Sequence, residues 1–142
     1  MSSVPFHYID LRAFCYVTED EQRVADALRL LLPEEHDLDR VESEGHYGDR
    51  ILVLSTRVET ASGMRTVLDS LQRLPAEDRE RLTAELAERV DENTSFFVTL
   101  DKQAAYRGEV RLGDGITLRG KVEAYPAKRE CAIAALESAE VL

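Results

Sequence analysis

The stretch Thr99-Leu100-Asp101-Lys102-Gln103-Ala104-Ala105-Tyr106-Arg107-Gly108-Glu109 sets two cations, an amide and a ring within a few residues of one another. Lys102 and Arg107 can neutralise phosphates, while Gln103 and Tyr106 offer hydrogen bonds or a stacking surface. Ala104 and Ala105 keep the backbone slim, and Gly108 permits close approach or a positive φ. A bulged turn held by an ion pair would use the same residues. A second candidate, Gly45-His46-Tyr47-Gly48-Asp49-Arg50, would present His46, Tyr47 and Arg50 at a loop tip. There a neutral imidazole could stack or act as a general base, or the segment could be a packed turn. A third, Tyr125-Pro126-Ala127-Lys128-Arg129-Glu130, puts Lys128 and Arg129 in a helix first turn, where they oppose the helix dipole. Anion binding would account for that choice; so would a salt bridge to Glu130.

Catalytic and metal chemistry have no comparable signal. The chain holds no Walker loop, no GxGxxG after a strand, no His-x-x-x-His and no GxSxG. His7, His36 and His46 share no ligand spacing with Cys15 or Cys131. No nucleophile, second histidine or carboxylate pair stands beside His46 in sequence. The expectation is no catalytic residue, no metal and no cofactor.

Charge narrows the class further. The 142 residues carry 28 acids and 18 bases, a net charge of −10. The bases are 15 Arg and 3 Lys. Abundant acid with scarce lysine predicts a proteome adapted to high salt, such as a haloarchaeal cytosol, where salt screens the repulsion between surface acids. Such a background mutes the usual argument that acidity excludes nucleic acid, and moves attention to where the charges fall. Residues 1–98 hold 21 acids and 11 bases, whereas residues 99–130 hold 5 acids and 7 bases, including every lysine. The net-positive block contains the first and third candidate stretches.

The elements that must position these residues follow from periodicity. Residues 6–17 alternate as a strand, with Ile9, Leu11, Ala13, Cys15 and Val17 on one side. Thr18-Glu19-Asp20-Glu21 reads as a capping box opening a helix whose stripe is Val24, Ala27, Leu28 and Leu31. A short strand around Leu38–Ser43, the His46 turn and a strand over Ile51–Val58 form a hairpin. A helix starts at Thr60 or Ser62, and another spans Ala76–Val90. Ser95–Asp101, Glu109–Leu112 and Ile116–Tyr125 read as three strands, the last two turning at Gly113-Asp114-Gly115. Pro126 is placed to begin the last helix. The predicted class is α+β: a two-layer sandwich of a mostly antiparallel sheet with helices on one face, as one domain over residues 1–142. The N-terminus enters a strand directly, so no signal peptide is expected, and no run reaches the roughly 18 apolar residues of a membrane span. Two separate cysteines read as reduced thiols of a cytoplasmic protein.

Strand alternation also predicts an open sheet face. If Ile9, Leu11 and Leu118 point to the helices, then Arg12, Phe14, Tyr16, Phe97, Arg119, Lys121 and Tyr125 point away. Rings among cations on an open sheet suit single-stranded RNA, whose bases stack at ~1–3 kcal/mol each. Stacking also survives salt that weakens phosphate contacts. The same face would serve equally as the core of a protein interface.

Five separated motifs carry a family resemblance. They are Tyr8-Ile9-Asp10-Leu11-Arg12-Ala13-Phe14-Cys15 with Thr18-Glu19-Asp20-Glu21, then Glu44-Gly45-His46-Tyr47-Gly48, Arg89-Val90-Asp91-Glu92-Asn93, the Leu100–Gly108 stretch and Tyr125–Glu130. The chain resembles the archaeal RNA-binding family described as a predicted exosome subunit. The resemblance implies a small non-catalytic RNA-binding protein with a fold like the ribosomal protein that binds five-S RNA. It further implies an accessory role in RNA processing or exosome-linked degradation, with exosome- or ribosome-related partners. The residues expected to meet RNA are Arg12, Phe14, His46, Tyr47, Arg50, Lys102, Gln103, Tyr106, Arg107, Arg119, Lys121, Lys128 and Arg129, converging on one surface. The rival expectations are an adaptor or homodimer joined through the aromatic sheet face, and an RNA-cleaving enzyme using His46.

Overall fold

The computed structural model describes residues 4–33, 36–45 and 47–139; His46 lies outside them. The elements run β1 (Phe6–Cys15), α1 (Glu21–Arg29), β2 (Asp39–Glu44), β3 (Arg50–Val58), α2 (Ala61–Leu71) and α3 (Ala76–Ala84). A 3-10 turn at Leu86–Arg89 follows, then β4 (Ser95–Asp101), α4 (Lys102–Tyr106), β5 (Gly115–Val122) and α5 (Arg129–Ala139). The five strands make one antiparallel sheet in the order β2-β3-β1-β5-β4. The expected α+β sandwich is the observed architecture.

Alternation sets which side of each strand is buried. Ile9, Leu11, Ala13 and Cys15 of β1 pair in register with Val58, Thr56, Leu54 and Leu52 of β3. On the other side of β1, Leu11 and Ala13 pair with Leu118 and Ile116 of β5. All of these but the buried polar Thr56 join Val24, Leu28, Val67, Leu71, Leu82 and Leu136 of the helices in one apolar cluster. Gly120 interrupts the apolar row of β5 because Phe6 lies across it: a Cβ there would come within 2.5 Å of the Phe6 ring. That ring in turn stacks on Phe96 at 6.3 Å.

Five local expectations change. Asp20, not Thr18, caps α1 by accepting from the Gln22 N–H, which frees Glu19 to turn inward. The Lys102–Tyr106 segment is a helical turn rather than a loop. Asp101 Oδ1 caps it through the Gln103 and Ala104 amides, and the two alanines favour the helix. Glu109–Leu112 does not form a ladder strand. It touches β4 by one bridge, Leu112 to Leu100, while the Leu112 amide donates to Asp78. Gly115, at φ +117°, opens β5 directly, and a Cβ on it would strike that of Lys102. Finally, α5 starts at Arg129 rather than Pro126, and the expected helix over Ala76–Val90 narrows into the 3-10 turn after Ala84.

Gly120→Ala tests the close approach of Phe6. Because the ring belongs to the packed core, the added methyl should cost about 1–3 kcal/mol in chemical denaturation. An unchanged midpoint would show that the ring yields without cost.

Candidate nucleic-acid interface

The face turned away from the helices is built from the other half of each strand. Three arginines on it stand over rings. Arg12 lies 5.4 Å from the Phe14 ring centre, Arg57 lies 3.8 Å from Tyr8, and Arg119 lies 5.7 Å from Phe97. Phe97 and Arg119 are cross-strand partners, as are Asp10 and Arg57, and Tyr8 and Lys121. Arg57 also grips Asp10 with both arms of its guanidinium, at 2.8 and 3.1 Å. Arg119 reaches Ser95, and the Lys121 ammonium donates to the Asn93 carbonyl. Between these pairs runs a groove of about 400 Å³ lined by Asp10, Arg12, Asp39, Ser55, Arg57, Phe97, Thr117 and Arg119. Rings paired with guanidinium groups bring aromatic surface and cationic edges together, the groups that stacking and phosphate contacts use.

Toward the C-terminal end of β1 the same face turns apolar. Phe14 pairs across the sheet with Val53, and Val53 with Val41. Phe14, Tyr16 and Val41 are all exposed, and the Tyr16 ring lies 6.4 Å from that of Phe14. At this end Tyr47 stands 88% exposed in the β2–β3 turn, and Arg50 lies 3.5 Å from Glu42. The expectation for His46 falls outside the described residues.

The Lys102 turn was expected to face phosphate. Its lysine is instead buried. The Lys102 ammonium donates to Glu19 and to the Phe14 carbonyl, both at 2.8 Å. Tyr106 donates its hydroxyl to the other Glu19 oxygen at 2.9 Å, and Arg23 covers the Tyr106 ring at 4.5 Å. Gln103 and Arg107 remain exposed, with Arg107 3.6 Å from Glu109. Arg129 is likewise used within the fold: it donates to the Val90 and Ala87 carbonyls at the end of the 3-10 turn. Lys128 is exposed.

Strand direction decides which of these groups can meet. The β2–β3 turn, the Tyr16–Asp20 turn and α4 share the end of the sheet where β1 finishes and β5 begins. Lys128 and Arg129 follow the far end of β5, beside Val90. The expected single surface joining the hairpin turn, α4 and the start of α5 therefore does not form. Arg12, Phe14, Phe97, Arg119 and Lys121 do share a face. Alternation put Tyr8 and Asp10 on this side of β1 without counting them among the RNA contacts, and Arg57 was missed. Arg57 sits in a strand that read as nearly all apolar, yet its parity against Leu54, Thr56 and Val58 marked it as outward-facing.

The Glu19 carboxyl feels opposing forces. Burial pushes its pKa up, but hydrogen bonds from Lys102, the Tyr16 amide and Tyr106 outweigh it and hold the group below its ordinary value of 4.5. Burial first, then the Glu19 hydrogen bond and charge, drives the Tyr106 phenol upward. Burial and the Glu19 charge also raise the neighbouring Cys15 thiol, keeping it protonated. Among the described residues no group of three His, Cys, Asp or Glu is placed to hold a metal ion.

A depressed carboxylate stabilises the fold above its unfolded pKa, and that stability is lost as pH falls through the folded one. The resistance of the wild type to urea should weaken as pH drops below the ordinary 4.5. Glu19→Gln should flatten that part of the profile; identical profiles would remove the role assigned to Glu19. Lys102→Met should cost about 2–3 kcal/mol at neutral pH, less than a fully buried pair because Glu19 keeps some water.

A family model described as RNA binding matches residues 8–122. The chain is 37% identical over 139 residues to the RNA-binding protein PAB1135 of Pyrococcus abyssi, covering 92% of this chain and 90% of that one. Among solved structures, Mth689 of Methanothermobacter thermautotrophicus, a DUF54 protein, is 38% identical with a TM-score of 0.77, covering 94% and 97% of the two chains. Protein AF2318 of Archaeoglobus fulgidus is 29% identical with a TM-score of 0.84, covering 94% and 99%. Matching over most of its length to that model and to a relative of this identity, the chain belongs to this RNA-binding family.

Proposed function

We propose that this chain binds single-stranded RNA on the open face of its sheet, as one non-catalytic domain over residues 1–142. The observation that carries the reading is the set of three arginine–ring pairs, Arg12–Phe14, Arg57–Tyr8 and Arg119–Phe97, around one groove. Bases stack on the rings while Arg12, Arg119 and Lys121 meet phosphates along the strand. Tyr47, Gln103 and Arg107 are exposed at one end of the sheet and Lys128 at the other, apart from this surface. Lys102, Tyr106 and Arg129 act from behind by holding the elements in place.

In the cell, this fits an accessory factor of RNA processing or exosome-linked degradation in a salt-rich cytoplasm, with exosome- or ribosome-related proteins as partners. The five sequence motifs and the acid-rich, lysine-poor composition support that setting. Binding that rests on stacking tolerates such salt better than binding that rests on charge alone. A second reading, a protein-interaction adaptor, draws on the exposed Phe14, Tyr16 and Val41 at one end of the same face.

Fluorescence anisotropy with a labelled single-stranded RNA in molar KCl separates the two. Phe97→Ala should weaken binding by the ~1–3 kcal/mol of one stack, and Arg119→Ala should weaken it and lower the salt slope. Equal affinity in the wild type and an Arg12→Ala/Phe97→Ala/Arg119→Ala variant, or no binding by either, overturns the RNA reading.

A further inference from the structure

The two edges of the sheet differ. Along β4 the outer edge is covered: the Asp101 amide donates to the Arg111 carbonyl, the Gly113 amide to Thr99, and the Asp91 amide to Ser95. These bonds belong to the bridges Leu100–Leu112 and Val90–Phe96. Strand β2 forms the opposite edge, and among the described residues no strand or bridge lies beyond it. All six of its residues are exposed.

An open edge invites another strand, and charge is a common way to prevent this. In β2 the charges are arranged so that the strand complements itself. Antiparallel pairing of Asp39-Arg40-Val41-Glu42-Ser43-Glu44 with an identical strand, centred on Val41, sets Val41 against Val41 of the partner subunit. It then places Arg40 opposite Glu42 of the partner subunit, and Asp39 opposite Ser43 of the partner subunit. Centring on Arg40 or on Glu42 would instead place like charges on the axis, which is unfavourable for directly opposed residues. The centred register also respects the two faces. Arg40 and Glu42 lie on the helix side, where Arg40 already bonds Glu21 and Glu42. Val41 lies on the open side, in line with Val53 and Phe14.

We propose that β2 is a homodimerisation edge, on which a second copy of this chain adds its own β2 to form one continuous sheet with both helix layers on the same side. The partner is argued from charge complementarity: across the axis Arg40 of each copy faces Glu42 of the other, adding to the Glu21 and Glu42 contacts that Arg40 already makes in its own chain. The apolar row Phe14–Val53–Val41 becomes continuous through the dyad, and the two open faces join into one surface. The contact is a single strand pair, well short of the ~1,600 Å² of a standard interface, so association is concentration-dependent. Each copy carries a net charge of −10, so salt that screens this repulsion strengthens the dimer. The strand pairing itself does not depend on RNA binding, and it brings the groove-lining Asp39 of each copy close to the dyad.

Sedimentation equilibrium in molar KCl tests it, with circular dichroism to confirm folding of each variant. The wild type should form dimers that weaken as salt is lowered. Arg40→Glu and Glu42→Arg should each weaken association by about tenfold or more, since each opposes like charges twice across the axis. Mixing the two single variants should restore association as a heterodimer, and Arg40→Glu/Glu42→Arg in one chain should restore the homodimer. A wild type that stays monomeric throughout overturns the proposal. So does a dimer indifferent to these charges, or folded single variants that fail to associate when mixed.

Discussion

Glu19 holds together three parts of the chain: the end of β1, the entry to α1 and α4. Its carboxylate accepts from Lys102 and Tyr106 of α4 and from the Tyr16 amide at the end of β1. Lys102 completes the knot by donating to the Phe14 carbonyl. With Lys102 only 8% and Glu19 18% exposed, the pair is shielded enough that removing one partner strands the other. The entry to α1, the end of the central strand and α4 therefore move as a unit. The Tyr16 ring, 5.4 Å from the Lys102 ammonium, is positioned by the same group.

That arrangement reassigns the chemistry of the net-positive block. Its most buried cation works inward, and Arg129 works inward at the opposite end. The cations left to face solvent on the sheet are chiefly arginines paired with rings. Asp10 neutralises Arg57 within that face, so attraction for an anion is concentrated on Arg12, Arg119 and Lys121. A surface of this kind uses flat stacking area as much as charge, which suits a chain whose total charge is strongly negative.

Much of the fold was legible because apolar residues alternate. The parity of Ile9, Leu11 and Ala13 predicted both the buried side of β1 and the outward positions of Arg12 and Phe14. The partners of Lys102 were not legible, because Glu19 lies 83 residues away and also fits a helix first turn. Asp101 as a cap before two alanines was a local signal for α4, and the glycines and charges around it drew the reading toward a loop. The failure of Lys128 to meet Lys102 follows from strand direction, which periodicity alone does not give. Arg57 shows the opposite case: it was readable by parity, but the apolar strand around it concealed the charged position.

The central place of β1 has a consequence for the order in which the molecule can be completed. The first strand made is flanked by β3 and β5, and β5 does not begin until Gly115. During synthesis β1 can pair with β3 early, but its other edge stays bare until most of the chain has emerged. Joining it to β5 closes a loop of about a hundred residues, a non-local step of the kind that slows folding. Until that step, the nascent chain leaves bare the edge of β1 that the finished protein pairs with β5.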